Sequence, residues 1–201
     1  MSGKYMAYVG SYSYTGKAKG ITVFDVDVEN GMFKERCEIE VDNSSYVIAS
    51  SDGKTLYSIA DEGVVSFRIL PNGSLARLNS APIRGMRGCH LCTDEEDKYV
   101  FVSGYHDGKT TVLSLNPDGS VGKIVDGVFD RGYGSVAERN FRPHVTCTRR
   151  MPDNRFVLSV DNGIDQVKIY RFNDKEQKLV QVDAIRCDLE SAPRHFRYSK
   201  D

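Results

Sequence analysis

The chain repeats its own pattern three times, and this repetition limits its fold more than any other feature of the sequence. Each copy begins with a short apolar segment, passes through a polar turn followed by a cation, and adds further apolar segments separated by tight turns. The cations after the turns, Lys54, Lys98 and Arg155, lie 44 and 57 residues apart, and one insertion at 129–142 accounts for the longer interval. Self-similarity at such a period is typical of repeat architectures, in which each copy is one supersecondary unit.

Each copy has the pattern of four short β-strands. Apolar and β-branched residues dominate the strands, turns containing Asp-Gly, Asn-Gly or Pro-Asp separate them, and no segment sustains the period of an amphipathic helix. Repeats of this length with four strands each are typical of the blades of a β-propeller. An immunoglobulin-like sandwich would explain the short strands but not the self-similarity.

The predicted fold is therefore all-β: a single partial β-propeller of four-stranded antiparallel sheets, about four blades in total. The expected units within this one domain, 1–201, are three strands of a first blade at 4–41, complete blades at 44–80, 88–128 and 143–186, and a final inner strand at 192–199. Packed blade faces resist a change of angle, so we expect an open arc rather than a closed four-bladed ring. Exposed blade faces and strand edges at the two ends would favour self-association.

Charge and composition exclude several classes of function. Lys and Arg number 27 against 28 Asp and Glu, so no basic field recruits nucleic acid or an acidic membrane surface. No apolar stretch is long enough to cross a membrane, and the first residues lack the apolar core of a signal peptide, so a cytoplasmic location is expected. The five cysteines include one Cys-x-x-Cys pair, Cys89 and Cys92, with no second ligand pair, which predicts buried reduced thiols and no metal site.

Several short motifs are shared with a known protein family. In chain order they are Tyr8-Val-Gly-Ser-Tyr, Gly20-Ile-Thr-Val-Phe-Asp-Val, Cys89-His-Leu, Tyr105-His-Asp-Gly, Glu138-Arg-Asn, Arg142-Pro-His and Ala192-Pro-Arg-His-Phe. At these residues the chain resembles the seven-bladed lactonases of the 6-phosphogluconolactonase type, a family that also contains a fungal carboxymuconate-cyclising enzyme. The resemblance implies hydrolysis of a sugar lactone, a step of the pentose phosphate pathway when the sugar is phosphorylated, without metal or organic cofactor.

The chain also departs from that family's pattern. It supplies about four blades instead of seven, Thr146 stands where the family's Pro-His-Ala-His motif has its second His, and the sequence ends before the family's acidic residue beyond Pro-Arg-His. We therefore expect an N-terminal portion of a lactonase-like propeller with an incomplete active site. The alternatives are a non-catalytic propeller fragment or binding scaffold, and a carboxymuconate-cyclase-like enzyme.

Polar residues gather at one level of the predicted inner strands. Alignment of the strand starts places in one column Ser45, Cys89, His144 and Arg194, and in the next column Tyr46, His90, Val145 and His195. The inner strands of a propeller surround one channel, so residues in a column should converge. His144 is the candidate general base because imidazole titrates near neutrality, and Arg194 is the candidate partner of the lactone carbonyl. The structural alternatives are a turn cap or a hydrogen bond between blades for His144, and a salt bridge between blades for Arg194.

The candidate substrate-binding residues are Arg139, His90, His195 and His106. His90 and His195 share a repeat position, which also fits a polar contact between blades. His106 lies in a turn that could border the channel mouth, where a histidine satisfied within its own turn is the alternative. Arg139 belongs to the insertion that leads into His144; it could bind a phosphate or carboxylate of the substrate, or pair with Glu138.

Overall fold

The computed structural model describes residues 5–134 and 142–199, and this part of the chain contains fifteen β-strands. Their bounds are β1 Tyr5–Gly10, β2 Gly20–Asp27, β3 Met32–Glu40, β4 Val47–Ala49, β5 Thr55–Ala60, β6 Gly63–Ile69, β7 Leu75–Pro82, β8 His90–Thr93, β9 Tyr99–Gly104, β10 Lys109–Leu115, β11 Val121–Phe129, β12 Val145–Arg150, β13 Val157–Asp161, β14 Gln166–Asn173 and β15 Lys178–Arg186. Within the described ranges no helix occurs, and hence none that could cross a membrane.

The strands form four antiparallel sheets in chain order, each a meander of neighbours. We call them blade 1 (β1–β3), blade 2 (β4–β7), blade 3 (β8–β11) and blade 4 (β12–β15). Blades 2 to 4 have four strands each and blade 1 has three. The predicted all-β partial propeller is confirmed, with about four blades.

Apolar side chains hold each blade against the next. In blades 2 and 3 the second strand is buried along its whole length, which requires a neighbour on both faces of the sheet. Three apolar clusters fill the three spaces between successive blades: Ile21 and Val41 with Leu56 and Phe67, Ile59 and Val64 with Leu91 and Leu113, and Phe101 and Val112 with Tyr170 and Phe172. The core is thus a series of layers between blades rather than one central mass.

Inner strands succeed one another around an open arc. Contacts run from β4 to β8 and from β8 to β12, so the first strands of blades 2 to 4 face a common centre, and β1 of the three-stranded blade 1 lies beside β4. The segment 192–199, expected as a further inner strand, is not paired as a β-strand, but it lies beside β12, where the Thr146 hydroxyl donates a hydrogen bond to the carbonyl oxygen of Arg194 at 2.7 Å.

A β-bulge recurs in every blade between the outer strand and the strand next to it. One extra residue on a strand increases its local twist, which suits the strongly twisted blade of a propeller. Blade 4 has an additional register shift in its inner pair, between Val145 and Cys147. This extra shift changes which residues of β12 face the centre.

Candidate active site

A cavity of about 440 Å³ opens where the inner strands start, and we call it the strand-start cavity. Every blade contributes to its wall; the lining residues are Tyr12, Ser45, Tyr46, Arg87, Gly88, Cys89, Tyr105, His106, Thr146, Asn162, Arg194 and His195. Three of the four residues in the first predicted column line this cavity, namely Ser45, Cys89 and Arg194. Equivalent starts of successive inner strands therefore share one space, as the propeller geometry requires.

Arg194 supplies positive charge to the strand-start cavity. Its backbone is anchored by the hydrogen bond from Thr146, while its exposed guanidinium makes no hydrogen bond or ion pair with any residue in 5–134 or 142–199. The inter-blade salt bridge, which was the structural alternative for Arg194, is absent from those ranges. An uncommitted guanidinium at a cavity wall is available to a carbonyl oxygen or an oxyanion.

Cys89 is a neutral donor rather than a nucleophile. Its thiol lies 3.4 Å from the carbonyl oxygen of Val145 on blade 4 and donates to it. Burial raises the pKa of the Cys89 thiol to about 12, and the charge of Arg194 offsets only part of that effect. The thiolate needed for nucleophilic attack is therefore scarce at neutral pH.

Two of the predicted histidines, His106 and His195, line the strand-start cavity with exposed side chains. His106 lies in the turn between β9 and β10, beside the ring of Tyr105 at a centroid distance of 5.4 Å. Burial, and then the positive charge of Arg194, lower the pKa of His195. His195 is thus a neutral imidazole at neutral pH and can accept a proton from water.

His144 does not line the strand-start cavity. It is 5% exposed, its Nδ1 lies 2.7 Å from the carbonyl oxygen of Tyr105, and its ring stacks on the Tyr105 ring at 4.3 Å. Because a carbonyl oxygen only accepts, Nδ1 is the protonated nitrogen and the lone pair is on Nε2. The hydrogen bond joins blade 4 to blade 3, which matches the structural alternative for this residue.

The register shift in β12 explains why Thr146 rather than His144 faces the centre. Cys89 of blade 3 meets the carbonyl groups of Val145 and Thr146, and His90 meets Cys147, so blade 4 is displaced along its inner strand relative to the sequence alignment. A bulge places one additional residue on a strand without leaving a compositional mark. Alignment of strand starts therefore could not reveal it.

His90 is fully buried between blades and lies outside the strand-start cavity. Its Nε2 is 3.6 Å from the Cys147 sulfur, and its ring packs on Tyr46 at 4.8 Å and lies 6.1 Å from that of His195. Burial, followed by the charge of Arg149, lowers the pKa of His90 to about 3. It packs the channel wall as a neutral ring.

Arg139, the fourth predicted binding residue, lies outside the described residues. The sequence reasoning did not select the aromatic part of the wall as binding residues: Tyr12, Tyr46 and Tyr105 all border the cavity, as do Asn162 and Arg87. Arg87 is paired with Asp61 at 2.9 Å and lies over the Tyr12 ring at 4.9 Å, so its charge is largely committed. Tyr46 belongs to the second predicted column, and Tyr12 and Tyr105 belong to the motifs shared with the lactonase family; these memberships are the signal that could have identified them.

Four meandering blades around a shared central cavity define this chain as part of a β-propeller with a polar, histidine- and arginine-bearing channel. A family description, lactonase with a 7-bladed beta-propeller, matches residues 6–201. The chain belongs to this lactonase family.

Relatives and solved structures agree with that assignment. The chain is 31% identical to the 6-phosphogluconolactonase of Bacillus subtilis, over 97% of this chain and 56% of that protein. It superimposes with a TM-score of 0.87 and 31% identity on a Bacteroides fragilis structure provisionally assigned as a 6-phosphogluconolactonase, over 96% of this chain and 57% of that one. The periplasmic gluconolactonase of Pseudomonas aeruginosa, at 24% identity, shares the fold with a TM-score of 0.88, over 97% of this chain and 58% of that one. The chain thus spans little more than half the length of these proteins.

No group of side chains suited to hold a metal ion occurs among residues 5–134 and 142–199. Arg194 supplies the uncommitted positive charge of the strand-start cavity, and imidazole, hydroxyl and thiol groups surround it. Such a set can bind a neutral polyol, orient a carbonyl group and transfer a proton.

Proposed function

We propose that this chain carries a sugar-lactone hydrolase site of the 6-phosphogluconolactonase type, with the lactone bound in the strand-start cavity. The observation that carries the proposal is the convergence of Arg194 and the pKa-lowered His195 on one cavity in a member of the lactonase family. Its volume of about 440 Å³ falls within the range of small-molecule sites. Tyrosine rings on the wall offer flat apolar faces to a sugar, and Asn162 and Thr146 offer hydrogen bonds to its hydroxyl groups.

Lactone hydrolysis needs a base for water and a donor for the oxyanion that forms at the carbonyl. Arg194 is proposed to donate to the carbonyl oxygen, where negative charge develops as water attacks. A neutral imidazole takes the proton of the attacking water and returns it to the ring oxygen as the ester bond breaks. The balance is complete: one water is consumed and the open-chain acid is released.

Two histidines are candidates for that base. The sequence favours His144, whose Nε2 carries the lone pair. Its ring lies beneath the Tyr105 ring, so Tyr105 would have to move before His144 could reach a lactone in the cavity. The geometry favours His195, which lines the strand-start cavity beside Arg194 and is neutral at neutral pH. We therefore propose His195 as the base and His144 as a positioning residue that holds Tyr105.

Four further residues are proposed to contact the substrate or to support the wall of the cavity. His106 and Tyr105 are proposed to contact the sugar at the cavity mouth, and Arg139 to bind a phosphate or carboxylate group of it. His90 is proposed to support the wall through its contact with Tyr46. We also propose a cytoplasmic role in carbohydrate metabolism, for which the named Bacillus subtilis relative is the support.

Steady-state hydrolysis of gluconolactone and its 6-phosphate by the purified chain tests the proposal. Arg194→Gln should lower kcat/KM by about 100-fold, and His195→Gln by at least a similar factor, because each removes a group that acts in the transition state. His144→Gln should change kcat/KM less than His195→Gln does. Arg186→Gln is the matched control: it removes an exposed arginine at the end of the outer strand β15, which does not line the strand-start cavity, and should leave the rate unchanged.

Unchanged turnover in Arg194→Gln would contradict the assigned role of Arg194. If the chain binds the aldonate product but shows no saturable rate above spontaneous hydrolysis, the result would contradict the proposed enzyme and support the binding-scaffold alternative.

A further inference from the structure

A second cavity, of about 310 Å³, lies at the opposite end of the inner strands, and we call it the strand-end cavity. It is bordered by the last residues of β4, β8 and β12 and by the segment after Arg194, including Arg149, Arg150, Arg197 and Tyr198. Three to four residues along a strand span about 10 Å, so this cavity is separate from the strand-start cavity. No residue is shared between the two walls.

Three hydrogen-bond donors of the strand-end cavity are buried without a partner, namely Arg149 Nε, Arg150 Nε and the Tyr198 hydroxyl. All three are inaccessible to solvent, and none forms a hydrogen bond within the described chain. Burying a donor without a hydrogen bond is unfavourable, and more so for a charged group, so such donors require an acceptor. Arg197 is exposed and likewise has no hydrogen bond or ion pair to residues 5–134 or 142–199.

The terminal nitrogens of Arg150 in the same cavity are, in contrast, paired within the chain. Its guanidinium pairs with Asp174 at 2.8 Å and lies 3.7 Å from Asp94. Asp94 is further engaged through its other oxygen, which accepts the backbone N–H groups of Lys98 and Tyr99. The chain thus neutralises one arginine of this cavity with its own carboxylates and leaves two arginines uncompensated except by Glu95.

The positive charge of Arg149 and Arg197 acts on the histidines of the channel wall. The positive charges of Arg149 and Arg197 both contribute, after burial, to lowering the pKa of His90. They act in the same direction on His195. The strand-end cavity is therefore a site of positive potential that reaches the channel wall.

We propose that the strand-end cavity is a binding site for a phosphate group, held by the guanidinium groups of Arg149 and Arg197 and by the Tyr198 hydroxyl. Arginine side chains bind phosphate oxygens through paired charge-assisted hydrogen bonds, and a buried hydroxyl adds a neutral donor. The cavity admits a phosphate monoester of a small metabolite as well as the free ion. The site is independent of the proposed lactone site, since Arg194, His106 and His195 line the other cavity.

Calorimetric titration of the purified chain with inorganic phosphate tests this site. The double variant Arg149→Gln/Arg197→Gln should weaken binding by at least about tenfold, because two charge-assisted contacts are lost. Tyr198→Phe should weaken it by a smaller factor without changing the charge. Arg186→Gln removes one positive charge elsewhere on the chain and should leave the affinity unchanged. A hexose 6-phosphate that binds more tightly than phosphate, with the same dependence on Arg149 and Arg197, would identify a phosphate monoester as the occupant.

Circular dichroism of each variant confirms that the fold is retained before titration. Absence of phosphate binding by the unmodified chain would overturn the proposal. So would phosphate binding that survives the double variant but is lost in Arg194→Gln, since this pattern would place the anion in the strand-start cavity. Such a result would leave the proposed lactone site intact, so the two proposals fail separately.

Discussion

Among single residues, His90 makes the strongest connection between burial and chemistry. Its ring is fully buried between Tyr46 of blade 2 and Cys147 of blade 4, and burial lowers its pKa to about 3. In the unfolded chain an imidazole titrates near its ordinary value of about 6.5. Above that pH both states are neutral; as the pH falls below it the unfolded state binds a proton and the folded state does not. The contribution of His90 to stability is therefore lost as the pH falls from about 6.5 toward 3.

His90→Gln should remove this pH dependence. We expect the free energy of unfolding of the wild type to gain up to about 1.4 kcal/mol per pH unit from this residue across the acid range, and the variant to lack that slope. Urea denaturation at a series of pH values between about 4 and 8 measures both curves. His106→Gln, at an exposed histidine in a turn, is the matched control. Parallel curves for wild type and His90→Gln would show that His90 is not held neutral by the fold.

The candidate site itself could be predicted at this scale only in part. Arg194, His195 and His106 follow from residue type and repeat position, and they line the strand-start cavity. The place of His144 could not be foreseen, because the stacking of Tyr105 depends on a turn of blade 3 that meets blade 4 only in the folded chain. Arginines without partners, such as Arg149, likewise cannot be distinguished by sequence from paired ones such as Arg150.

At the scale of elements, side chains on outer strands tie each blade to the next. Asn79 on β7 accepts the backbone N–H of Val121 at 2.9 Å and donates to its carbonyl oxygen at 2.7 Å, while Ser66 donates to Asn79. Asp126 on β11 links blades 3 and 4 in a similar way, because it accepts the backbone N–H of Leu179 on β15. Backbone groups at the start of β11 and of β15 thus find hydrogen-bond partners on the outer strand of the preceding blade.

Asn79→Ala should destabilise the chain by about 2 kcal/mol, because both backbone groups of Val121 lose their partner at a half-buried position. Chemical denaturation measures the change. Asn116→Ala is the control, since the side chain of Asn116 donates only to the hydroxyl of Ser120 within an exposed turn. Equal losses in the two variants would contradict a specific role for the link between blades 2 and 3.

Strand patterns predict the elements well and their register poorly. Alternating apolar residues and Asp-Gly or Asn-Gly turns are local signals, and they place the strands of blades 2 to 4. The bulge near Thr146 is not local, because whether one extra residue enters a ladder depends on the partner strand. The segment 192–199 carries the same motif as a paired inner strand, but β-pairing needs a neighbour that the described chain does not provide.

For the whole molecule, the repeat implies the architecture because each blade buries its faces only against other blades. The three inter-blade clusters satisfy that requirement inside the arc. At the two ends, apolar side chains stay exposed, among them Met32 and Phe33 on β3 and Val180 and Val182 on β15. We propose that these end faces self-associate, as unpaired propeller surfaces would.

The central claim is that the inner strands of successive blades share one cavity that binds a sugar lactone. A crystal structure of the chain with the aldonate product bound tests it most directly. The account predicts the aldonate between Cys89, Arg194 and His195, with its carboxylate at the guanidinium of Arg194. An aldonate bound elsewhere on the chain, or inner strands that hold Ser45, Cys89 and Arg194 around separate spaces, would contradict it.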